Sequence, residues 1–380
     1  MKDIIQKDLW SISSFLENEN YNFNKKEILT NLPESFIDEA IKSISSWETY
    51  SPTPLLKLDK LNEELKFNEI YYKDEDKRFN LKSFKALGGA FAVYKIASRK
   101  KNITVSTATA GNHGRSVAWG AQRLGLKCKI FISENVSESR AEAMRKLEAE
   151  VIRVQGNYDN SLKECIKKSK ENNWEIVQDV SWEGYKEVPK LIMAGYTIMI
   201  KEIIDEIDAN SITHVFLQAG VGGMAAAMIA GFAKLSKNVP KFIIVEPENA
   251  DCVFKSIKNG KPTSIDIKKE TIMGGMSCGD VSSIAWEILK NSSKYCVTIS
   301  DKAISPTVAL LAEGHLSSEK IIAGECAVPG IIALIAIFNN KTYLNKVNLN
   351  SDSKVLLFGC EGLTDEAMYK QLLEDGLKKI

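Results

Sequence analysis

Short apolar segments rich in β-branched residues alternate with helix-patterned stretches along most of this chain, and that alternation limits the fold more than any other feature. The strand-like segments are 70–72, 104–107, 129–132, 151–154, 175–177, 214–217, 242–245, 295–299 and 355–358. Helical patterns at 138–147, 162–171 and 189–207 separate them, which is the signature of βαβ units on parallel sheets, an α/β chain. A closing amphipathic helix is expected over 364–379, packed on the body. The Asn/Gly/Lys-rich stretches 258–270 and 339–353 read as exposed loops without chemistry.

At 380 residues, 44% hydrophobic and 26% charged, the chain has room for two domains with buried cores. Fifty Lys and Arg against 49 Asp and Glu leave a net charge of +1, which gives no electrostatic case for nucleic acid or an anionic membrane surface. The seven cysteines, at 128, 165, 252, 278, 296, 326 and 360, form no Cys-x-x-Cys pair, and the three histidines share no metal-ligand spacing with them. No metal is expected, and the thiols are expected free, as in a reducing cytoplasm. Residues 1–8 carry charges where a secretory segment needs an apolar run. The apolar stretch 321–338 holds Glu325 and Pro329 and reads as a buried turn entering a core helix. A soluble, cytoplasmic protein follows.

Three motifs carry the chemistry. Ser83-Phe84-Lys85 supplies a candidate reactive amine, with Lys82 three residues before it as the competing lysine. Thr109-Ala110-Gly111-Asn112-His113-Gly114 forms a turn opening a helix over 115–124. Gly220-Val221-Gly222-Gly223-Met224 lies between an apolar strand and an apolar helix, where bare backbone N–H groups stabilise a phosphate. The run lacks the third spaced glycine of a dinucleotide fingerprint and the Gly-Lys-Ser/Thr of a P-loop, so alone it serves an anion site or a tight strand-to-helix turn equally well. A lysine forms an imine with a carbonyl. The three together suggest an aldehyde-phosphate cofactor.

With Gly88-Gly89-Ala90 beside them, these motifs resemble the fold type II (tryptophan synthase β-like) pyridoxal-phosphate enzymes, and within them the diaminopropionate ammonia-lyase family. Tyr72-Lys73-Asp74-Glu75, Val177-Gln178-Asp179, Trp182-Glu183-Gly184-Tyr185, Val245-Glu246-Pro247, Ala250-Asp251-Cys252 and Glu361-Gly362-Leu363-Thr364-Asp365 extend the likeness from about residue 50 onward. The resemblance implies two domains, each with a mainly parallel twisted sheet flanked by helices. The large cofactor-binding domain would be discontinuous, 1–95 and 191–380, and the small one would span 96–190. It also implies pyridoxal 5'-phosphate, a small amino-acid substrate and a homodimer.

Residue by residue, the resemblance makes Lys85 the cofactor lysine and Asn112 a donor to the cofactor's phenolic oxygen, an N-cap being the ordinary use of Asn there. Gly220, Val221, Gly222, Gly223 and Met224 would hold the phosphate. Asp179 would take the Cα proton of an L-substrate, its pKa raised by the aromatic wall of Trp182 and Tyr185, with turn-capping as the bland alternative. Cys360 would face the pyridine nitrogen as a neutral partner unless it is only a buried thiol. His113 reads as ordering its turn and is left out of the catalytic set. A bridge between Cys252 and Cys278 is not expected in that compartment.

One position departs from the family. An Asp normally precedes Gly-Asn-His-Gly, and here Ala110 stands there. That carboxylate serves the D-isomer, so the expectation is α,β-elimination of L-2,3-diaminopropionate to pyruvate and two ammonia, with weak or no activity on the D-isomer. The alternatives are a serine/threonine dehydratase, then a β-replacement synthase or an inactive binding protein that keeps the fold.

Overall fold

The computed structural model describes Ile5 and residues 8–380, so the charged start of the chain lies largely outside the described residues. The chain forms two compact units: one comprises the segment up to Asn31 with 52–77 and 199–380, the other residues 32–51 and 78–198.

The larger unit is built on a seven-stranded sheet in the order β1-β10-β9-β8-β11-β3-β2. These strands are β1 Ile12–Glu17, β2 Leu55–Lys57, β3 Glu69–Asp74, β8 His214–Gln218, β9 Lys241–Pro247, β10 Tyr295–Ile299 and β11 Lys354–Gly359. Pairing is parallel from β10 to β3, and only the edges β1 and β2 run antiparallel. Continuous apolar strands such as Val355–Phe358 are buried along their length, as helices on both faces of a parallel sheet require. The smaller unit holds an all-parallel sheet in the order β6-β5-β4-β7, from β4 Thr104–Ala108, β5 Lys127–Ser133, β6 Glu150–Val154 and β7 Glu175–Ile176.

All the strand segments read from the sequence are strands. The two edges were missed: β2 is three residues long, and β1, Ile-Ser-Ser-Phe-Leu-Glu, has no clean alternation. The pattern at 189–207 is two helices, Glu187–Tyr196 and Ile198–Glu206. The Thr197 hydroxyl donates to the Ala194 carbonyl at 2.6 Å, a local bond that competes with the helix. Within the expected loop 339–353 a helix forms at Lys341–Val347, because the Asn340 side chain accepts from the Thr342 and Tyr343 N–H groups at 3.0 and 3.1 Å. The stretch 321–338 leads into the buried helix Pro329–Asn339, and among the described residues no helix is long and apolar enough to cross a membrane.

The compact units are not cut at 95/96 and 190/191, since 32–51, 78–95 and 191–198 lie in the smaller one. Glycine contacts explain the shift. A Cβ at Gly88 would lie 2.5 Å from the Ile192 carbonyl oxygen, one at Gly120 2.7 Å from the Ala90 Cα, and one at Gly195 2.8 Å from the Gly88 Cα. Helix Lys85–Arg99 therefore packs backbone to backbone on Asn112–Arg123 and Glu187–Tyr196. Overpacking such a contact costs about 1–3 kcal/mol, so Gly195→Ala should lower the urea unfolding midpoint at unchanged m-value, read by circular dichroism.

Candidate active site

In the smaller unit Lys85 opens its helix just after three left-handed non-glycine residues, Phe79 at φ 50°, Asn80 at 59° and Lys82 at 59°. Such backbone is uncommon outside glycine and persists where its surroundings enforce it. Here Phe79 stacks on Trp119 with ring centroids 4.5 Å apart. The Ser83 hydroxyl accepts from the Lys85 N–H at 3.3 Å, and the Ser116 hydroxyl donates to the Lys85 carbonyl at 2.6 Å. Lys85, rather than Lys82, sets its Nζ on Asp179 Oδ2 in a short ion pair, with side chains 24% and 13% exposed.

Asp179 is placed by Gln178. The Gln178 side chain accepts from Thr107 Oγ1 at 2.8 Å and the Ala108 N–H at 3.1 Å, and donates to the Ala108 carbonyl at 2.9 Å and the Tyr158 hydroxyl at 2.7 Å. It ties the segment after β7 to the end of β4. The Gln178 N–H donates to the Tyr185 hydroxyl at 2.9 Å, and that hydroxyl donates to the Ile176 carbonyl at 2.8 Å. Tyr185 is itself stacked on Trp182, centroids 4.2 Å apart.

His113 completes the cluster: Nε2 lies 2.8 Å from the Val177 carbonyl, and Nδ1 lies 3.7 Å from Asp179 Oδ2. Asn112 is the first residue of helix Asn112–Arg123 and Gly111 is its N-cap, so Asn112 does not serve as the cap. Ala110 is exposed, and its carbonyl accepts from Arg140 at 3.4 Å.

The raised Asp179 pKa expected from the aromatic wall is not what the structure holds. Burial does push the carboxyl up, but the adjacent His113 and Lys85, with the Lys85 hydrogen bond, outweigh it and hold the group below the usual carboxylate range. Burial lowers the His113 pKa, which disfavours the charged ring, and Lys85 is the counter-ion in direct contact with the carboxylate. Burial likewise drives the Tyr196 phenol far above its ordinary range.

In the larger unit the glycine run follows β8 and opens helix Gly223–Leu235, whose N-cap Gly222 has φ 89°. A Cβ there would sit 2.7 Å from Leu289 Cδ1, and one at Gly220 would sit 3.0 Å from Cys278 Sγ and 3.1 Å from the Gly275 carbonyl oxygen. Gly220 and Gly222 thus lie where only bare backbone fits, and Gly220, Val221, Gly222, Gly223 and Met224 together make the turn into a helix N-terminus, whose first N–H groups have no partner within the helix. Cys252 and Cys278 are free thiols, and Cys252 Sγ donates to the Gly220 carbonyl at 3.5 Å. Glu246 accepts from the Val253 and Phe254 N–H groups at 2.8 and 2.6 Å and fixes that neighbouring helix. Burial raises its pKa to about 8.

Cys360 follows β11, the strand beside β8, so it and the glycine run share the carboxyl edge of one parallel sheet. Gln218 joins them, donating to the Cys326 and Phe358 carbonyls at 3.0 and 2.7 Å, and Cys360 Sγ donates to the Cys326 carbonyl at 3.1 Å. Glu325, Cys326 and Glu361 bring ligand-type atoms within 4.8 Å of one another among the described residues, a grouping no sequence spacing announces. The Cys326 N–H already donates to Glu361 Oε1 at 3.1 Å.

In the sequence Gln178 carries no role of its own and His113 reads only as ordering its turn. The only signal for either was its place beside Asp179 or Asn112. Tyr196, buried against Phe84 with ring centroids 4.7 Å apart, gave no signal at all.

The model of the family described as "Pyridoxal-phosphate dependent enzyme" matches residues 47–357. Diaminopropionate ammonia-lyase of Escherichia coli strain K12 is 34% identical over 351 residues, covering 86% of this chain and 88% of the relative. The biosynthetic L-threonine dehydratase of Haemophilus influenzae is 30% identical over 244 residues, covering 63% of this chain and 45% of that protein. Among solved structures, Escherichia coli diaminopropionate ammonia-lyase in complex with an aminoacrylate-PLP azomethine reaction intermediate superposes with a TM-score of 0.89 at 32% identity, covering 96% of this chain and 98% of that one.

A side chain at left-handed φ costs about 1–2 kcal/mol, and at Gly222 it must also displace Leu289. Gly222→Ala should weaken cofactor retention roughly 10-fold, as that penalty implies, in equilibrium dialysis while the apo chain stays folded.

Proposed function

Because the chain belongs to the pyridoxal-phosphate dependent enzymes, and within them to the diaminopropionate ammonia-lyases, we propose that it converts L-2,3-diaminopropionate and water to pyruvate and two ammonia. The observation that carries this reading is the Lys85–Asp179 pair, an amine and a carboxylate held together in the smaller unit. The residues suit the cofactor: a lysine amine that reaches solvent, a glycine cradle a Cβ would fill, and a neutral thiol after the last strand. Bound pyridoxal phosphate supplies an aldehyde for amines and a conjugated ring that accepts the electron pair left when Cα–H breaks.

In this reading the chain's own groups divide the work. Lys85 holds the cofactor and, once released to a free amine, moves protons near Cα. Gly220, Val221, Gly222, Gly223 and Met224 hold the phosphate with backbone N–H groups, making the larger unit the cofactor-binding domain. Asn112, the first residue of its helix, would orient the cofactor's phenolic oxygen. Asp179 is ionised at rest and takes the Cα proton. Cys360, a neutral group whose hydrogen goes to the Cys326 carbonyl, would be the residue facing the pyridine nitrogen, and a neutral partner there would favour elimination over a long-lived carbanion. The protein works as a cytoplasmic homodimer.

Enantiomers held by the same anchors present their Cα protons to opposite faces, so each needs its own base. Asp179 serves one face and Ala110 offers a methyl to the other. Serine/threonine dehydration is the second reading, favoured by Ala110 and by the partial likeness to threonine dehydratase.

The test is pyruvate release from L- and D-diaminopropionate, L- and D-serine, and 2-oxobutyrate release from L-threonine. L-diaminopropionate should be turned over fastest and its D-isomer roughly 10²-fold or more slowly, the lower end of what a positioned base contributes. Ala110→Asp should restore part of the D-activity. A hydroxy amino acid turned over fastest would replace the proposed substrate. Separately, Asp179→Asn should cut turnover of the L-isomer by on the order of 10²–10⁴ while cofactor content stays at the parent level. Turnover near the parent rate would place the base elsewhere.

A further inference from the structure

We propose that His113 acts through Asp179, receiving at Nδ1 the proton that Asp179 removes from the substrate. The inference rests on Asp179 being the base. His113 is in this sense a positioning residue that touches no substrate atom.

The Val177 carbonyl can only accept, so the hydrogen of the neutral ring must be on Nε2, 2.8 Å away. Nδ1 is then a bare lone pair. It is buried, has no hydrogen-bond partner, and faces Asp179 Oδ2 at 3.7 Å. Two acceptors turned toward each other in a buried place make an incomplete contact. One proton completes it, and protonation of Asp179 brings one. Ordering the turn would need only the Nε2 bond to Val177, which leaves the aim of Nδ1 unexplained.

The transfer balances. Asp179 carboxylate takes H⁺ from Cα, its O–H then breaks as N–H forms at Nδ1, and a carboxylate and an imidazolium remain, hydrogen-bonded to each other. The reverse transfer and loss to water restore the start. The charged group set on the pair is Lys85, on the same carboxylate, while the Tyr185 and Tyr196 phenols lie on the Asp179 side. The Lys85 ammonium opposes a charged ring, so His113 takes its proton when Lys85 has lost that charge. Burial, which disfavours the charged ring, agrees with this order.

His113→Gln places an amide where Nε2 was, able to donate to Val177, and removes the ring nitrogen that faces Asp179. In the holoenzyme it should leave cofactor content, melting temperature and KM at parent values. Its kcat should fall roughly 10-fold, below the loss expected for the base itself, and the acid limb of kcat/KM should move about one unit or more to lower pH. An independent readout needs no turnover. Histidine-selective nitrogen NMR of the full chain, which has three histidines, should show His113 as the Nε2–H tautomer, with a pKa about one unit lower in Asp179→Asn.

An Nδ1–H tautomer, or a His113 pKa indifferent to Asp179→Asn, overturns the proposal even if His113→Gln does not fold. An inactive Asp179→Asn beside a His113→Gln variant with the parent pH profile overturns this inference alone. An active Asp179→Asn overturns the assignment of the base beneath it.

Discussion

The contact between Lys85 and Asp179 closes across 94 residues of chain, and most of the smaller unit is arranged to make it. Lys85 is held from one side by helix Lys85–Arg99, whose glycines let it lie against two other helices at backbone distance. Asp179 is held from the other side by Gln178, whose amide spans from the segment after β7 to the end of β4. Taking two charges out of water is costly, and a partly buried pair of this kind is weak evidence for stability. Its position is what the packing secures. Three left-handed residues just before Ser83 point the same way, since such backbone persists only where the surroundings enforce it.

The larger unit is organised around a different constraint, the lack of side chains. Gly220 and Gly222 sit where a Cβ would strike Cys278 or Leu289, and Gly222 also needs its positive φ. Cys252 bonds to the Gly220 carbonyl and Gln218 to the carbonyls that flank Cys360, so the loop is braced from both ends by groups that carry no charge. A neutral frame around the N–H donors of a helix start suits an anion, because nothing in the frame competes for the donors.

How much of this could be read beforehand follows from what each signal measures. Short runs of apolar and β-branched residues announce themselves locally, which is why β8 to β11 and β3 to β7 were legible, buried like β8 or half-exposed like β6, and the very short or irregular edges β1 and β2 were not. The motif residues were legible because their types are chemically committed: an amine, a carboxylate, a run of glycines. The unit boundary was not, because Gly88, Gly120 and Gly195 act only through partners distant in sequence. Gln178 and His113 were hidden for the same reason. A glutamine or histidine gains its meaning from what its second polar atom faces, and that is a tertiary fact.

The reversal at Asp179 shows how such facts alter chemistry. The sequence places aromatic residues close by, and an apolar wall alone would make the carboxyl a reluctant acid, protonated too often to serve as a base. The ammonium of Lys85 prevents that by keeping the carboxylate ionised while the site waits. In the proposed reaction Lys85 is no longer an ammonium, whether it holds the cofactor or has been released as a neutral amine. The same burial then raises the proton affinity of Asp179 at the stage when a Cα proton has to be taken. Desolvation and counter-charge, which pull the pKa in opposite directions, thus act at different stages: one residue is held deprotonated beside an ammonium and becomes the stronger base once that charge is gone.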